Sequence, residues 1–303
     1  MHVPTAKRQE IANGSALTPA AASPLTVAPL SHEHETEVLA FLAKRPVHTF
    51  GMVGFIKANG LVSPHNRGTF YACRDEAGHL EGVALIGHYI LFETSTEAAI
   101  EAFAHLAQEC RSVHMVLGEQ DKIETFWTCY SDGGQSPRLT CRELLLEQRG
   151  PIDLRDAVFG LRLATLNDLD LIVPAHAQGA FEESGVDPSQ VDPTGFRQRC
   201  SRRIELEQTW VLVENGRLIF KAEIITDTPT VIYVEGVWVD PQDRNKGIGS
   251  RCMSQLGRHL LRRSSSICLL VNEKSEAARA CYKRAGYKII GNYDTIFLEQ
   301  QVH

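Results

Sequence analysis

Arg244-Asn245-Lys246-Gly247-Ile248-Gly249 joins a β-branched run to a segment whose apolar residues, Ile248, Cys252, Met253, Leu256 and Leu260, fall on one helical face. Such a junction is an anion site. Residues without Cβ let backbone N–H groups close on an oxyanion, and the helix N-terminus adds partial positive charge. Arg244 and Lys246 contribute full charges, so a pyrophosphate fits the description; a tight turn serving only the chain path is the plainer reading of the same glycines. The P-loop pattern G-x-x-x-x-G-K-S/T is absent, and Cys252 stands where a dinucleotide fingerprint requires a third glycine or alanine. Glu235 lies four residues before Val239, so regular strand alternation puts it on the side of Val237 and Val239. A carboxylate facing a cleft there can take a proton, although a structural carboxylate or a solvated edge residue satisfies the same pattern. Eight cysteines show no C-x-x-C pair and no partner at metal-ligand spacing, so they read as reduced core thiols, and no metal site is expected.

The elements that must position these residues follow from periodicity and turn chemistry. Thr209–Glu214 and Leu218–Thr226 flank Asn215-Gly216, a strong hairpin signal, and Val231–Val239 supplies the next strand. Beyond the glycine loop come a helix over 249–263, a strand over 267–271, a helix over 276–285 and terminal strands around 287–290 and 295–298. Upstream, Leu161–Leu163 reads as a strand, Asn167 as the cap of a helix to about Gln178, and Pro193 to about Glu207 as a second helix. The first half offers a helix over 32–42, a strand over 68–73, one long strand over 80–92 and an Ala-rich helix over 94–110 capped by Ser95 or Thr96. A short strand over 113–117, a helix over 122–130 and a Leu-rich segment over 139–146, helix or strand, complete it. Gly150-Pro151 punctuates the chain. The expected layout is a disordered tail over 1–24, an N-terminal α/β domain over 25–150 and a second domain over 155–303.

Val237-x-Val239-x-Pro241-x-x-Arg244-x-x-Gly247-x-Gly249 resembles the acetyl-CoA signature of the GNAT superfamily of N-acetyltransferases. Val271-Asn272-x-x-Ser275-x-x-Ala278-Arg279-x-x-Tyr282-x-x-x-Gly286-Tyr287 resembles its second block, with Ser275 where Asn is common and Tyr287 where Phe is common. The likeness covers about 159–303 and extends to Phe181-Glu182-Glu183, Asp187-Pro188 and Phe220-Lys221-Ala222-Glu223, similar to a subgroup that carries an extra N-terminal domain of unknown function. It implies an α/β (α+β) GNAT fold, a mixed, mostly antiparallel sheet flanked by helices, with acetyl-CoA as cosubstrate. Backbone around Val237, Trp238 and Val239 would pair with the pantetheine arm and polarise the acetyl carbonyl. Arg244, Asn245, Lys246, Gly247, Ile248, Gly249 and Ser250 would hold the pyrophosphate, and Asn272 would contact pantetheine. Tyr282 would protonate the departing sulfur, or else pack its ring and hold CoA. Glu235 is the candidate base, directly or through water, and His176, Glu182 and Glu183 lie on the segment that forms the acceptor wall in this family.

The first half repeats the outline of the second, as a degenerate GNAT-like copy would. Phe92-Glu93-Thr94-Ser95-Thr96, at the place of the phosphate loop, has neither glycine nor positive charge, so CoA is not expected there. Bulk properties narrow the field further. With 303 residues the chain has room for two domains of ~150, and 43% hydrophobic residues suffice for two cores. A net charge of -6 without a large basic cluster argues against a nucleic-acid partner. No apolar run of ~18 residues and no signal-peptide core point to a cytoplasmic protein without a membrane partner. The expected activity is acetyl transfer to a primary amine of a small molecule or protein. A non-catalytic CoA-binding sensory module and a protein scaffold are the competing classes, and oligomeric state and acceptor identity are not legible.

Overall fold

The structure, a computed structural model, describes residues 24–150 and 157–299. The predicted tail, but for its last residue, and the 151–154 gap between the two expected domains lie outside the described residues.

Among the described residues twelve strands build one sheet: β1 (Thr26–Pro29), β2 (Gly68–Arg74), β3 (Leu80–Gly87), β4 (Tyr89–Thr94), β5 (Met115–Glu119), β6 (Pro137–Gln148), β7 (Arg162–Leu163), β8 (Thr209–Glu214), β9 (Arg217–Asp227), β10 (Ile232–Val239), β11 (Ile267–Asn272) and β12 (Lys288–Leu298). Nine α-helices accompany them among the described residues: α1 (Glu35–Leu42), α2 (Phe50–Asn59), α3 (Glu97–Gln108), α4 (Gln120–Tyr130), α5 (Leu169–Ser184), α6 (Pro188–Val191), α7 (Pro193–Glu205), α8 (Ile248–Leu260) and α9 (Glu276–Arg284). The strand order β1-β2-β3-β4-β5-β12-β6-β11-β10-β9-β8-β7 has the same pattern from either edge. Each half contributes a meander, a parallel crossover through α3 or α8, and a further helix, α4 or α9, before its last strand. This is the repeat expected from the sequence, with one unforeseen exchange: β12 pairs with β5 of the first half, and β6 pairs with β11 of the second. The two exchanged strands pair antiparallel with each other from Lys288↔Glu147 to Leu298↔Pro137, so the halves share one hydrogen-bonded sheet.

The local reasons are visible in the side chains. Asn215 and Gly216 both have positive φ, 52° and 73°, as a two-residue hairpin turn with the strand twist requires. Cys252, Met253, Leu256 and Leu260 of α8 are buried against Val234, Leu269 and Tyr287, and each fully buried Leu or Met contributes about 1.5–3 kcal/mol. The opposite face of the second half is covered by α5 and α7, and in the first half one face is covered by α3 and α4 and the other by α1 and α2. Phe50, Leu145, Tyr233, Cys268 and Tyr293 form a cluster between the halves.

Four expectations need correction. The single strand over 80–92 is two strands turning at His88, where the crossing is so close that a Cβ on Gly87 would lie 2.3 Å from the Arg67 carbonyl oxygen and from Gly68 Cα. The two terminal strands are one, β12, with a register shift between Ile289 and Gly291. The first helix of the second half is led in by a 3-10 turn, Leu166–Asp168, that is capped by Thr165 rather than Asn167, with Thr165 N–H donating to Asp168 at 2.8 Å. It ends at Gly185, φ +71°, about two turns beyond Gln178. Finally, α2 was not anticipated. Its Gly51 and Gly54 weaken the helical signal, and Gly54 is required because a Cβ there would meet Thr226 Oγ1 at 2.3 Å.

Candidate active site

β10 and β11 are hydrogen-bonded in parallel only at Ile232↔Ile267 and Tyr233↔Cys268, and beyond that pair they part. A cleft of about 770 Å³ opens in the gap, walled by β10, β11, the N-terminus of α8, α9 and the end of α5. At its phosphate-loop end, Asn245 and Gly247 take positive φ, 63° and 77°, and α8 begins at Ile248. The first hydrogen bond of that helix is Arg251 N–H to the Gly247 carbonyl at 3.2 Å, and no side chain caps the turn. The N–H groups of Ile248, Gly249 and Ser250 are therefore available to an oxyanion. Gly249 allows the helix to sit close: a Cβ there would be 3.2 Å from both Cys281 Sγ and Val239 Cγ2. Val237, Trp238, Val239, Asn245 and Asn272 also line the cleft, while Asn272 Oδ1 accepts the Lys274 N–H at 2.9 Å. Tyr282, on the second turn of α9, reaches the same cleft.

Residues 205–289 match the family described as Acetyltransferase (GNAT) domain. The chain contains a GNAT domain. A comparison with curated proteins finds no match. Solved structures similar in fold include a Drosophila protein at 14% identity and a TM-score of 0.61, with 91% of this chain and 99% of that one covered. A GCN5-related N-acetyltransferase from Sphaerobacter thermophilus follows at 13% identity and 0.57, covering 91% and 96%. A tandem GNAT protein from the clavulanic acid biosynthesis pathway gives 11% and 0.55, covering 92% and 100%. At these identities the likeness is one of fold, and it spans both halves.

Within the GNAT cleft the expected residues do not all play the expected part. Arg244 donates to the Val239 carbonyl at 3.1 Å and to both Glu182 oxygens at 3.1 and 3.2 Å, which ties the phosphate loop to α5. Lys246 does not line the cleft; its ammonium is 2.9 Å from Asp243 Oδ1. Glu235 does line it, though not by regular alternation. A bulge with Gly236 at φ +55° breaks the β9–β10 register between Glu235 and Trp238, so Val234, Val237 and Val239 face α8 while Glu235 faces the α5 and α7 side. There Arg203 approaches it at 3.2 Å. His176 is not a cleft residue, since its Nδ1 is 3.0 Å from Glu223 Oε1 and its ring meets Phe196 edge-on.

Glu223 is the centre of this buried charge group, accepting from Lys221 at 2.9 Å and from Arg203. Burial opposes its charge, yet Lys221, Arg203 and His176 together hold its carboxyl well below the ordinary range. Lys221 Nζ lies directly under the bulge, 3.0 Å from where a Cβ on Gly236 would stand.

The cleft phenol and thiols are kept neutral. Burial, then the neighbouring Cys281 and Glu183, raise Tyr282 above the usual phenol range, and its hydroxyl has no hydrogen-bond partner among the described residues. Burial pushes the Cys281 thiol up to about 11, and burial followed by Glu143 and Glu183 raises Cys141. Neither thiol is poised as a nucleophile. Among the described residues no group of three or more His, Cys, Asp or Glu is arranged to hold a metal, and no helix is long and apolar enough to cross a membrane.

Sequence motifs gave no hint of the first half's share in this site. Leu117 of β5, Cys141 and Glu143 of β6, and Thr295 and Phe297 of the exchanged β12 complete the cleft wall. The equivalent wedge in the first half is closed. β4 and β5 also pair only at Tyr89↔Met115 and Ile90↔Val116, but Arg45 fills the gap, 3.0 Å from Glu93 and 2.7 Å from Glu119, with Lys122 at 2.8 Å from Glu93. Burial works against the Glu119 charge, but Arg45, His48 and Lys122 hold its carboxyl down to about 2. The residual cavity is about 30 Å³.

Proposed function

We propose that this chain transfers the acetyl group of acetyl-CoA to a primary amine by direct attack in a ternary complex. The observation that carries the reading is the parted β10/β11 pair opening beside an uncapped helix N-terminus, with a neutral, unpartnered phenol in the same cleft. Ile248, Gly249 and Ser250 amides with Arg244 and Asn245 take the pyrophosphate. The unpaired edge of β10 at Val237–Val239 hydrogen-bonds the pantetheine, with Asn272 opposite, and an amide at the bulge stabilises the developing oxyanion. Tyr282 protonates the leaving sulfur. The amine enters from the side of α5 and β6, where Glu143, Glu183 and Glu235 give a negative wall suited to a cation. The acceptor is a small molecule or an exposed side chain that carries its amine as an ammonium ion in solution.

Because Glu182 holds Arg244 in an exposed ion pair, Glu182→Gln should tighten acetyl-CoA binding about two- to fivefold, the range expected for releasing one such pair. Calorimetric titration of both proteins checks this; weaker binding in the variant would show that Glu182 supports the loop rather than competing for its arginine. The function itself is tested by mixing the protein with acetyl-CoA and a panel of primary amines and following free thiol. Amine-dependent thiol release supports the transferase, whereas tight acetyl-CoA binding with no release against any amine supports a CoA-binding sensory module.

A further inference from the structure

Four carboxylates line the cleft on or near the acceptor side, and three of them are occupied. Glu235 is paired with Arg203 at 3.2 Å, Glu143 accepts the Thr295 hydroxyl, and Glu182 is bound by Arg244 and by Gln178, whose Nε2 is 2.9 Å away. Glu183, on the last turn of α5, has no hydrogen-bond or ion-pair partner among the described residues. It lines the same cleft as Tyr282. We propose that Glu183, rather than Glu235, is the general base that removes the proton from the acceptor ammonium. The inference rests on the acetyl-transfer reading above.

The neighbourhood suits a base working near neutrality. Glu235 and Tyr233 of β10, Glu143 and Cys141 of β6, Lys221 of β9, Tyr282 of α9 and Glu182 beside it on α5 are the titratable groups that face Glu183. Loss of hydration, then the charges of Glu235 and Glu143, push its carboxyl up to about 7, against a smaller opposing pull from Lys221. Glu183 is itself an exposed residue, so the two like charges, which act in the same direction, carry the upward shift more than loss of hydration does. Glu235, by contrast, is already engaged in an ion pair with Arg203.

Glu183 takes one proton from the ammonium and later yields it to water at the mouth. The freed nitrogen lone pair forms the N–C bond as the C–S bond breaks. Sulfur takes the Tyr282 proton, and the second proton lost from nitrogen returns to the phenolate. Amide, free CoA thiol and one proton are the products.

Since only ionised Glu183 is active, kcat/KM should climb about tenfold per pH unit below 7 and level above it. The test measures thiol release from acetyl-CoA with 1,4-diaminobutane as the probe amine at high concentration, between pH 5.5 and 9 as about the useful range. Glu183→Gln should lower kcat/KM by about 10²–10³-fold and abolish the rise, with acetyl-CoA affinity unchanged as the check on folding. Glu235→Gln should keep the rise and move it to lower pH, because removing a neighbouring negative charge makes Glu183 easier to ionise. Persistence of the rise in Glu183→Gln overturns the assignment while leaving acetyl transfer intact. Absence of amine-dependent thiol release from the unmodified protein with acetyl-CoA bound overturns both.

Discussion

Tyr282→Phe should cut kcat by about 10²–10³-fold while leaving the Kd for acetyl-CoA within about twofold. The phenol is buried on α9, faces the cleft and stays protonated across the working pH range because burial and nearby acidic groups disfavour its ionised form. A thiol of ordinary pKa ~8.5 is a tolerable leaving group in water, but in a cleft already ringed by Glu143, Glu183 and Glu235 a departing thiolate adds a further negative charge. A neutral donor removes that charge as it forms. Phenylalanine preserves the ring contact with Tyr287, whose centroid is 5.9 Å away, so binding has little reason to change. Steady-state kinetics beside calorimetry give the split, and equal losses in kcat and affinity would make Tyr282 a binding residue.

The largest expected effect on stability is at Glu223. Glu223→Leu leaves Lys221, 1% exposed, without its carboxylate, and an uncompensated buried charge of this kind costs about 3–5 kcal/mol. Against a total of about 5–15 kcal/mol for a folded domain, that is a large fraction. Lys221→Met combined with Glu223→Leu should recover at least half of the loss, because two apolar side chains then occupy the space of a buried ion pair. Urea unfolding of the three variants settles the matter, and a double variant as unstable as the single one would mean that Glu223 acts mainly through Arg203 and His176. The pH dependence has a definite sign. The Glu223 carboxyl is held well below its ordinary 4.5, so its contribution is present in full above about that pH and is lost as the medium becomes more acid.

Much of this molecule is written locally in its sequence. Asn215-Gly216 specifies its turn through backbone conformation alone, α8 announces itself by five apolar residues on one face, and the glycine loop marks the strand-to-helix junction that precedes it. What was not legible depends on contacts made at long range. Between Leu80 and Phe92 only Gly87-His88 interrupts a largely apolar run, too weak a signal for a reversal, and the turn is set by the approach of Arg67 and Gly68 to Gly87. The exchange of β6 and β12 has no local signature either, because each strand would satisfy the same pattern beside its own half. The bulge at Gly236 shows how one backbone irregularity defeats an argument from alternation: Glu235 reaches the cleft, but from the other face of its strand. Glu183 stands out only once the partners of its neighbours are known.

Under the proposed function one wedge of this two-part sheet grips a diphosphate, while the other is shut by Arg45. Isothermal titration of the full chain with acetyl-CoA tests it most directly. Saturable binding of one molecule per chain is expected, lost in Gly249→Asp, which sets a carboxylate against the α8 amides. No heat of binding, or two molecules per chain, would contradict it.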